Sequence, residues 1–456
     1  MAAGTDRCEP AAVVPQHQGL KRLLGSGFGI AACVGTIIGL GILRTPGEIA
    51  RSVHDPWVYL GLWMAGGAFV LMSTLVVAEL IALTPRSGGP YALVANAFGP
   101  YPGFLLGWTD WLGNCAACSL KAVVLAEYAA LLLPDLRPWI VLLALAVNSA
   151  FALLQVGGVR LSGGVLQAAA AAFALILAAV SVALLFGGGA GTPDPGPAVV
   201  ANLPGWAGYG IVVAAIVFTY DGWVAASYYS GEVAGGARST ALGSIRGVFI
   251  VIVLYLLLNG LLVAKVPLAV LEGHELALAG ALDYLYGPGT GTWILLAALF
   301  ILLAHQNVIY MASSRALYAL SIDGLGSRRA TGVSARGTPT GAVAASWAMM
   351  SFLILAGGFE FLLNMATLLF IAGYVAMVVG VFRMRRLASS ATRPFRAWGF
   401  PLTGGLCAAG WVAIALFVGL MDLQSSAYGL GLAALSAPVF LWLKARRGLR
   451  ASFRRA

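Results

Sequence analysis

The sequence predicts an all-α integral membrane protein of twelve transmembrane helices. The first ten form a five-plus-five inverted repeat in which helices one and six are discontinuous, and two C-terminal helices follow. Three observations carry this expectation. Of the 456 residues, 60% are hydrophobic and 10% charged, against roughly 45–50% and 25% in soluble domains. The apolar residues fall in runs long enough to cross a hydrocarbon core, which takes about 20 helical residues. Two of those runs, the first and the sixth, are interrupted in the middle.

In order, the expected spans are residues 25–43, 57–83, 104–133, 139–155 and 166–186, then 206–229, 248–266, 293–320, 342–355 and 361–382, and finally 402–421 and 428–443. The chain divides accordingly into a tail (1–24), a first repeat (25–186), a Pro/Gly-rich extracellular loop (187–204), a second repeat (205–383), a basic cytoplasmic loop (384–400), two further helices (401–444) and a tail (445–456). No run is left over for a soluble domain. The first 24 residues are polar and the first apolar run is too long for a signal-peptide core, so no cleaved leader is expected.

The formal charge is +10, from 27 Lys+Arg against 17 Asp+Glu. Nucleic-acid binding is the ordinary meaning of a basic chain, but here the basic residues sit in short loops and at the two ends. An even number of spans puts both termini on one side. That side holds Arg7, Lys21, Arg22, Arg86, Arg160, Arg238, Arg246, Arg315 and the clusters within 328–336, 383–396 and 444–455. The other side holds Arg44, Arg51, Arg137 and Lys265, while Lys121 lies inside the third span. This asymmetry places both termini in the cytoplasm of a multi-pass protein of the cell membrane. Four histidines and five cysteines leave little material for a metal cluster or a disulfide framework. No phosphate-binding loop, metal-ligand set or nucleophile elbow occurs, so an enzyme is not expected and no cofactor is implied.

The interruptions are informative. The first span contains GTIIGLGI at 35–42, with three glycines; each costs a helix about 1 kcal/mol relative to alanine. The sixth contains FTYDGW at 218–223, with an acid in the middle of an apolar run. Broken backbone survives in a membrane only where it lines a cavity, and an intramembrane acid is functional by default. Five helices separate the two breaks, the spacing of inverted repeats that each open on a discontinuous helix. Close helix packing is the alternative for Gly35 and Gly39, which have small-xxx-small spacing.

At these residues the chain resembles the amino acid–polyamine–organocation permeases, and within them the L-type amino acid transporter branch. The similar stretches are GTIIGLGI with RTPG behind it, AELIALTPRSGGPYALVANAFGPYPGFLLGW at 78–108, AEYAALLLP at 126–134 and GVRLSG at 158–163. FTYDGW with the downstream Gly231-Glu232, and SSRALYALSIDG at 313–324, complete them. The likeness runs through the first eight spans; the last four add only hydropathy. It implies a substrate site halfway through the bilayer between helices one and six. Gly39, Leu40 and Gly41 would offer backbone N–H groups to a substrate carboxylate. Ile37 and Phe218 would offer carbonyls to its ammonium, with Asp221 near them, and Phe218 would also match the family's aromatic gate. The implied activity is secondary active or exchange transport of amino acids, neutral ones given the apolar residues named, by alternating access. A cationic amino acid or polyamine permease is the alternative, and a non-transporting amino acid sensor a more distant one.

The sequence departs from the family in two places. Leu40 replaces the serine of the usual G-S-G. Six residues after Gln167, where many relatives carry a lysine on helix five, stands Phe173, so coupling through that lysine does not carry over. The loop 134–138 lacks the cysteine that links mammalian members to a glycoprotein, so no disulfide-linked partner is expected; the partners are the substrate and the bilayer.

Among other intramembrane polar residues, Asn114, Asn307 and Trp223 are candidates for the pocket wall, with Tyr228 as a further aromatic. Lys121 and His305 are candidates for ion coupling. Against these stand structural readings: Lys121 snorkels or pairs with an acid, and His305, Gln306 and Asn307 make interhelical hydrogen bonds. Glu79 is expected to pair with Arg86 or a neighbouring helix end, Asp110 to cap or pair, and the Cys115–Cys118 motif to be packing residues.

Overall fold

The structure, a computed structural model, describes residues 20–39, 41–187, 205–272, 274, 276–357, 359–387 and 392–447. The first expected span is two helices, α1 (Phe28–Ile37) and α2 (Gly41–Ala50), bent by 43° at the break. α3 (Pro56–Ala82) is the second. A short α4 (Gly89–Phe98) precedes α5 (Pro100–Leu132), and α6 (Ile140–Val156) and α7 (Val159–Phe186) follow. The sixth span is α8 (Gly205–Thr219) and, after an irregular turn, a 3-10 segment (Ala225–Tyr229). Then come α9 (Gly236–Lys265), α10 (Leu268–Glu272), α11 (Ala277–Tyr286), α12 (Thr292–Ile322), α13 (Thr340–Ala356), α14 (Phe359–Leu387), α15 (Leu402–Met421) and α16 (Leu423–Arg447).

Each expected span coincides with a helix or a broken pair. Eight helical stretches among the described residues are long and apolar enough to cross a bilayer, and α1 with α2 makes a ninth. α13 and the described part of α8 are apolar but shorter. α5 is 33 residues long and carries Asp110, Lys121 and Glu127. Two things differ from expectation. α4, α10 and α11 were not anticipated, because at 1.5 Å per residue even a ten-residue helix reaches only about 15 Å and leaves no span-length run. Several helices also extend past their apolar cores: Arg385 and Arg386, assigned to the loop 384–400, ride on the last turn of α14.

The local starts follow the sequence. Asp55 accepts hydrogen bonds from the N–H groups of Trp57 and Val58 at 2.8 and 2.9 Å, and Pro56, which lacks an N–H, opens α3. Packing then places the breaks inside. α1 lies against α7 and α9, α3 against α9, and α5 against α12 and α14, while α15 packs on the outer side of α14. Large apolar side chains such as Leu153, Leu175, Phe186 and Leu416 stay exposed on the outer helix faces. Such a surface suits lipid rather than water.

Three ion-paired carboxylates tie one end of the bundle. Glu232 and Arg315, both fully buried, share two hydrogen bonds of 3.1 Å. Beside them, the main chain of Glu232 and Ala234 pairs with Leu24 at the entry to α1. Arg86 and Tyr91 both bond Asp323. Glu79 is bonded by Arg385 at 2.9 and 2.6 Å, with Arg393 at 3.1 Å and the Ala397 N–H at 2.8 Å. Of the two partners expected for Glu79, the neighbouring helix end is therefore the one observed, because Arg86 is drawn to Asp323 instead. Removing one member of a buried pair strands a charge, at about 3–5 kcal/mol. Glu232→Leu is expected to lower the thermal midpoint of the detergent-purified protein accordingly, and Glu232→Leu with Arg315→Met to restore most of it.

Candidate functional site

The first break begins at Ile38, whose extended ψ of 99° ends α1. α2 then starts at Gly41 with its first N–H groups lacking carbonyl partners within the helix. Leu40 lies outside the described residues. The second break runs from Tyr220 to Val224, between Thr219 and the 3-10 segment. Here Gly222 takes a φ of 109°, a conformation strained for any other residue.

The two breaks touch. A Cβ on Gly222 would lie 2.7 Å from Thr36 Cγ2 and 3.0 Å from the Thr36 carbonyl carbon. A Cβ on Gly41 would lie 3.1 Å from Thr219 Oγ1 and 3.4 Å from its Cα. Thr219 donates its hydroxyl to the Ala215 carbonyl at 2.8 Å, so Thr45, 2.7 Å away, is the donor to Thr219. Glycine at both crossings is what lets the interrupted backbones approach this closely. Gly35 behaves as the packing alternative expected, its missing side chain making room for Leu166 at 2.8 Å.

A cavity of about 530 Å³ opens at this crossing. Its wall includes Ile37, Gly39 and Gly41 from the first break, and Phe218, Thr219, Asp221 and Gly222 from the second. It also includes Asp110, Asn114 and Lys121 of α5, His305 and Ile309 of α12, and Phe370 and Tyr374 of α14. Most of the wall is apolar. The Ile37 carbonyl already accepts the Tyr255 hydroxyl at 3.0 Å, and the Phe218 carbonyl accepts the Asp221 N–H at 3.1 Å. Each keeps a second lone pair. Asp221 accepts the Tyr374 hydroxyl at 2.5 Å. Lys121 makes no hydrogen bond or ion pair with a described residue, but it and Asp221 attract each other electrostatically. His305 stands 3.0 Å from where a Gly39 Cβ would be.

Of the residues singled out from sequence, Ile37, Gly39, Gly41, Phe218, Asp221, Asn114, Lys121, His305 and Tyr228 come together on one wall. Two do not. Trp223 is buried in an aromatic stack, 5.1 Å from the Tyr374 ring centroid and 6.1 Å from that of Trp411. Asn307 is fully buried between helices, donating to the Ser162 carbonyl at 3.0 Å and accepting from Gln155 at 2.8 Å. Two residues on from His305, it points about 200° around α12. Cys115 and Cys118 are fully buried beside the wall. Sequence reasoning missed Tyr374, Thr219 and above all Asp110, which was expected to cap or pair and instead lines the cavity. The signal for Asp110 was present: residues 110, 114, 117 and 121 recur at the spacing of one helix face. The crossing itself is testable. Gly222→Ala meets both Thr36 and a backbone conformation costing about 1–2 kcal/mol, and is expected to lower the thermal midpoint; an unchanged midpoint would show that the breaks do not touch.

The amino acid permease family matches residues 29–438. The chain is 23% identical over 450 residues to the serine/threonine exchanger SteT of Bacillus subtilis, covering 95% of this chain and 99% of that one. It is 26% identical over 405 residues to the b(0,+)-type amino acid transporter 1 of Oryctolagus cuniculus, covering 84% and 80%. It is 23% identical over 409 residues to the gamma-aminobutyric acid permease of Bacillus subtilis, covering 84% and 85%. A multi-pass helical membrane protein with two touching helix breaks at a central cavity, matched over most of its length, this chain belongs to the amino acid permease family.

Proposed function

We propose that this permease moves neutral amino acids across the cell membrane by alternating access, with both termini in the cytoplasm. The observation that carries the reading is the meeting of two interrupted helices at one mainly apolar cavity. A zwitterion fits there: the N–H groups of Gly39 and of Gly41 at the start of α2 suit its carboxylate. The remaining lone pairs of the Ile37 and Phe218 carbonyls, with Asp221, suit its ammonium. Phe218 closes over the site. Access alternates as the repeats 25–186 and 205–383 rock against each other. The apolar wall, including Ile37, Phe218, Ile309 and Phe370, favours an uncharged side chain. Exchange is supported by the likeness to an exchanger.

A cationic substrate is a second reading, favoured by the two carboxylates, Asp110 and Asp221, on the wall. A competition panel of unlabelled neutral, cationic and acidic amino acids against labelled uptake into proteoliposomes separates the two. Neutral competitors are expected to inhibit, and lysine or putrescine not. Gly41→Leu places bulk against Thr219, an overpacking of about 1–3 kcal/mol. Uptake at low substrate concentration is expected to fall roughly five- to 150-fold. Equal uptake by the two proteins would move the site elsewhere.

A further inference from the structure

The cavity wall carries one more negative charge than it balances. Among the described residues lining it, Asp110 and Asp221 are the acids, Lys121 is the ammonium and His305 the imidazole. One ammonium cannot balance two carboxylates, and Lys121 is not among the groups that act on Asp110. This carboxylate is only 5% exposed. Its Oδ1 accepts the Tyr228 hydroxyl at 2.5 Å and the Asn114 amide at 3.2 Å. Its Oδ2 is buried and has no hydrogen-bond partner among the described residues.

Among the described residues, no cation is seen to act on Asp110. From α5 itself, Asn114 and Cys115 face Asp110; from the interrupted sixth span, Asp221 and Tyr228; from α14, Tyr374. α4, packed on α5, brings Pro90 to the wall and holds Tyr91 on Asp323. α12 contributes His305, which senses Lys121. Lys121 is eleven residues further along α5, about 16 Å by helical rise. A buried carboxylate with a bare oxygen and no counter-ion is unfavourable in a membrane interior, and the smallest ligand that removes its charge is a proton.

We infer that Asp110 is a proton-binding site loaded and emptied once per transport cycle, which couples uptake of a neutral amino acid to a proton gradient. This rests on the transport reading given above. The site is built to report its load. As a carboxylate, Asp110 holds Tyr228, and with it the 3-10 half of the broken sixth span, to α5 by a charge-assisted hydrogen bond. Protonation weakens that bond and loosens the two elements, so the proton acts on the moving part. Tyr228 is the positioning residue. Net movement is one positive charge per neutral amino acid.

The test uses purified protein in proteoliposomes with an equimolar mixture of labelled L-amino acids and a pH-sensitive dye inside. Counterflow at equal pH measures transport without a gradient. With the outside one pH unit more acidic, a one-to-one coupled protein is expected to accumulate label up to about tenfold and to acidify the lumen when amino acid is added. Asp110→Asn is expected to abolish both effects and to flatten the pH dependence of counterflow. Tyr228→Phe is expected to shift that pH profile while retaining it. Wild-type counterflow without accumulation or lumenal acidification overturns the proposal and leaves the transport reading standing; this arm needs no variant. Tenfold accumulation by Asp110→Asn overturns it too. So does accumulation confined to labelled lysine and ornithine without proton movement, which would assign Asp110 to a cargo ammonium. Absence of counterflow for every amino acid removes the transport reading and the proton site together.

Discussion

A main-chain N–H or C=O that leaves a helix inside a bilayer finds no water to bond. This constraint organises the molecule. The chain breaks twice, after Ile37 and after Thr219, and the breaks are brought against each other, wrapped by α5, α9, α12 and α14. Glycine makes the contact possible, since Gly222 and Gly41 press on Thr36 and Thr219 with no room for a Cβ. Some freed groups are satisfied internally: Tyr255 reaches the Ile37 carbonyl, and the Asp221 N–H turns back to Phe218. The cavity lies at this crossing, lined by residues of both breaks.

The motif strings that mark the chain divide into two kinds of physics. PRSGG and the Gly231-Glu232 pair are structural. Arg86 holds Asp323 at the end of α12, Ser87 accepts the Gly231 N–H, and Glu232 neutralises Arg315 in the interior. These contacts cluster at the end of the bundle where the basic residues gather, and together with Glu79 and Arg385 they fasten α3, α12 and α14 around the broken spans. GTIIGLGI and FTYDGW, by contrast, build the cavity. Aromatic packing stiffens that second break from behind, through the stack of Trp223, Tyr374 and Trp411, and Tyr374 in turn holds Asp221.

The α5 face explains why charge in this cavity is graded rather than uniform. Asp110 and Lys121 sit at opposite ends of one helical stripe, with Asn114 between them and Asp221 acting on both. The bulk of the wall remains apolar. Phe173 of α7 is fully buried and packs edge-on against Phe300, their ring centroids 5.9 Å apart. That position supplies no charge, and the titratable groups of the cavity gather around α5.

Sequence alone determined the solvent, the spans and the two breaks, because hydropathy and helix-breaking residues are local properties that lipid enforces segment by segment. It also named the part of the wall that Gly39, Gly41, Phe218 and Asp221 form, since these lie at the breaks themselves. It did not distinguish His305 from Asn307, two residues apart on one helix, of which the first faces the cavity and the second staples helices together. Nor did it find the short α4, α10 and α11, which are too brief to leave a hydropathy signal. Above all it could not say who meets Asp110. Partners such as Tyr228 and Tyr374 lie 118 and more residues away along the chain, and only the packing of α5 against α14 and the broken sixth span decides which charges are answered and which are left bare.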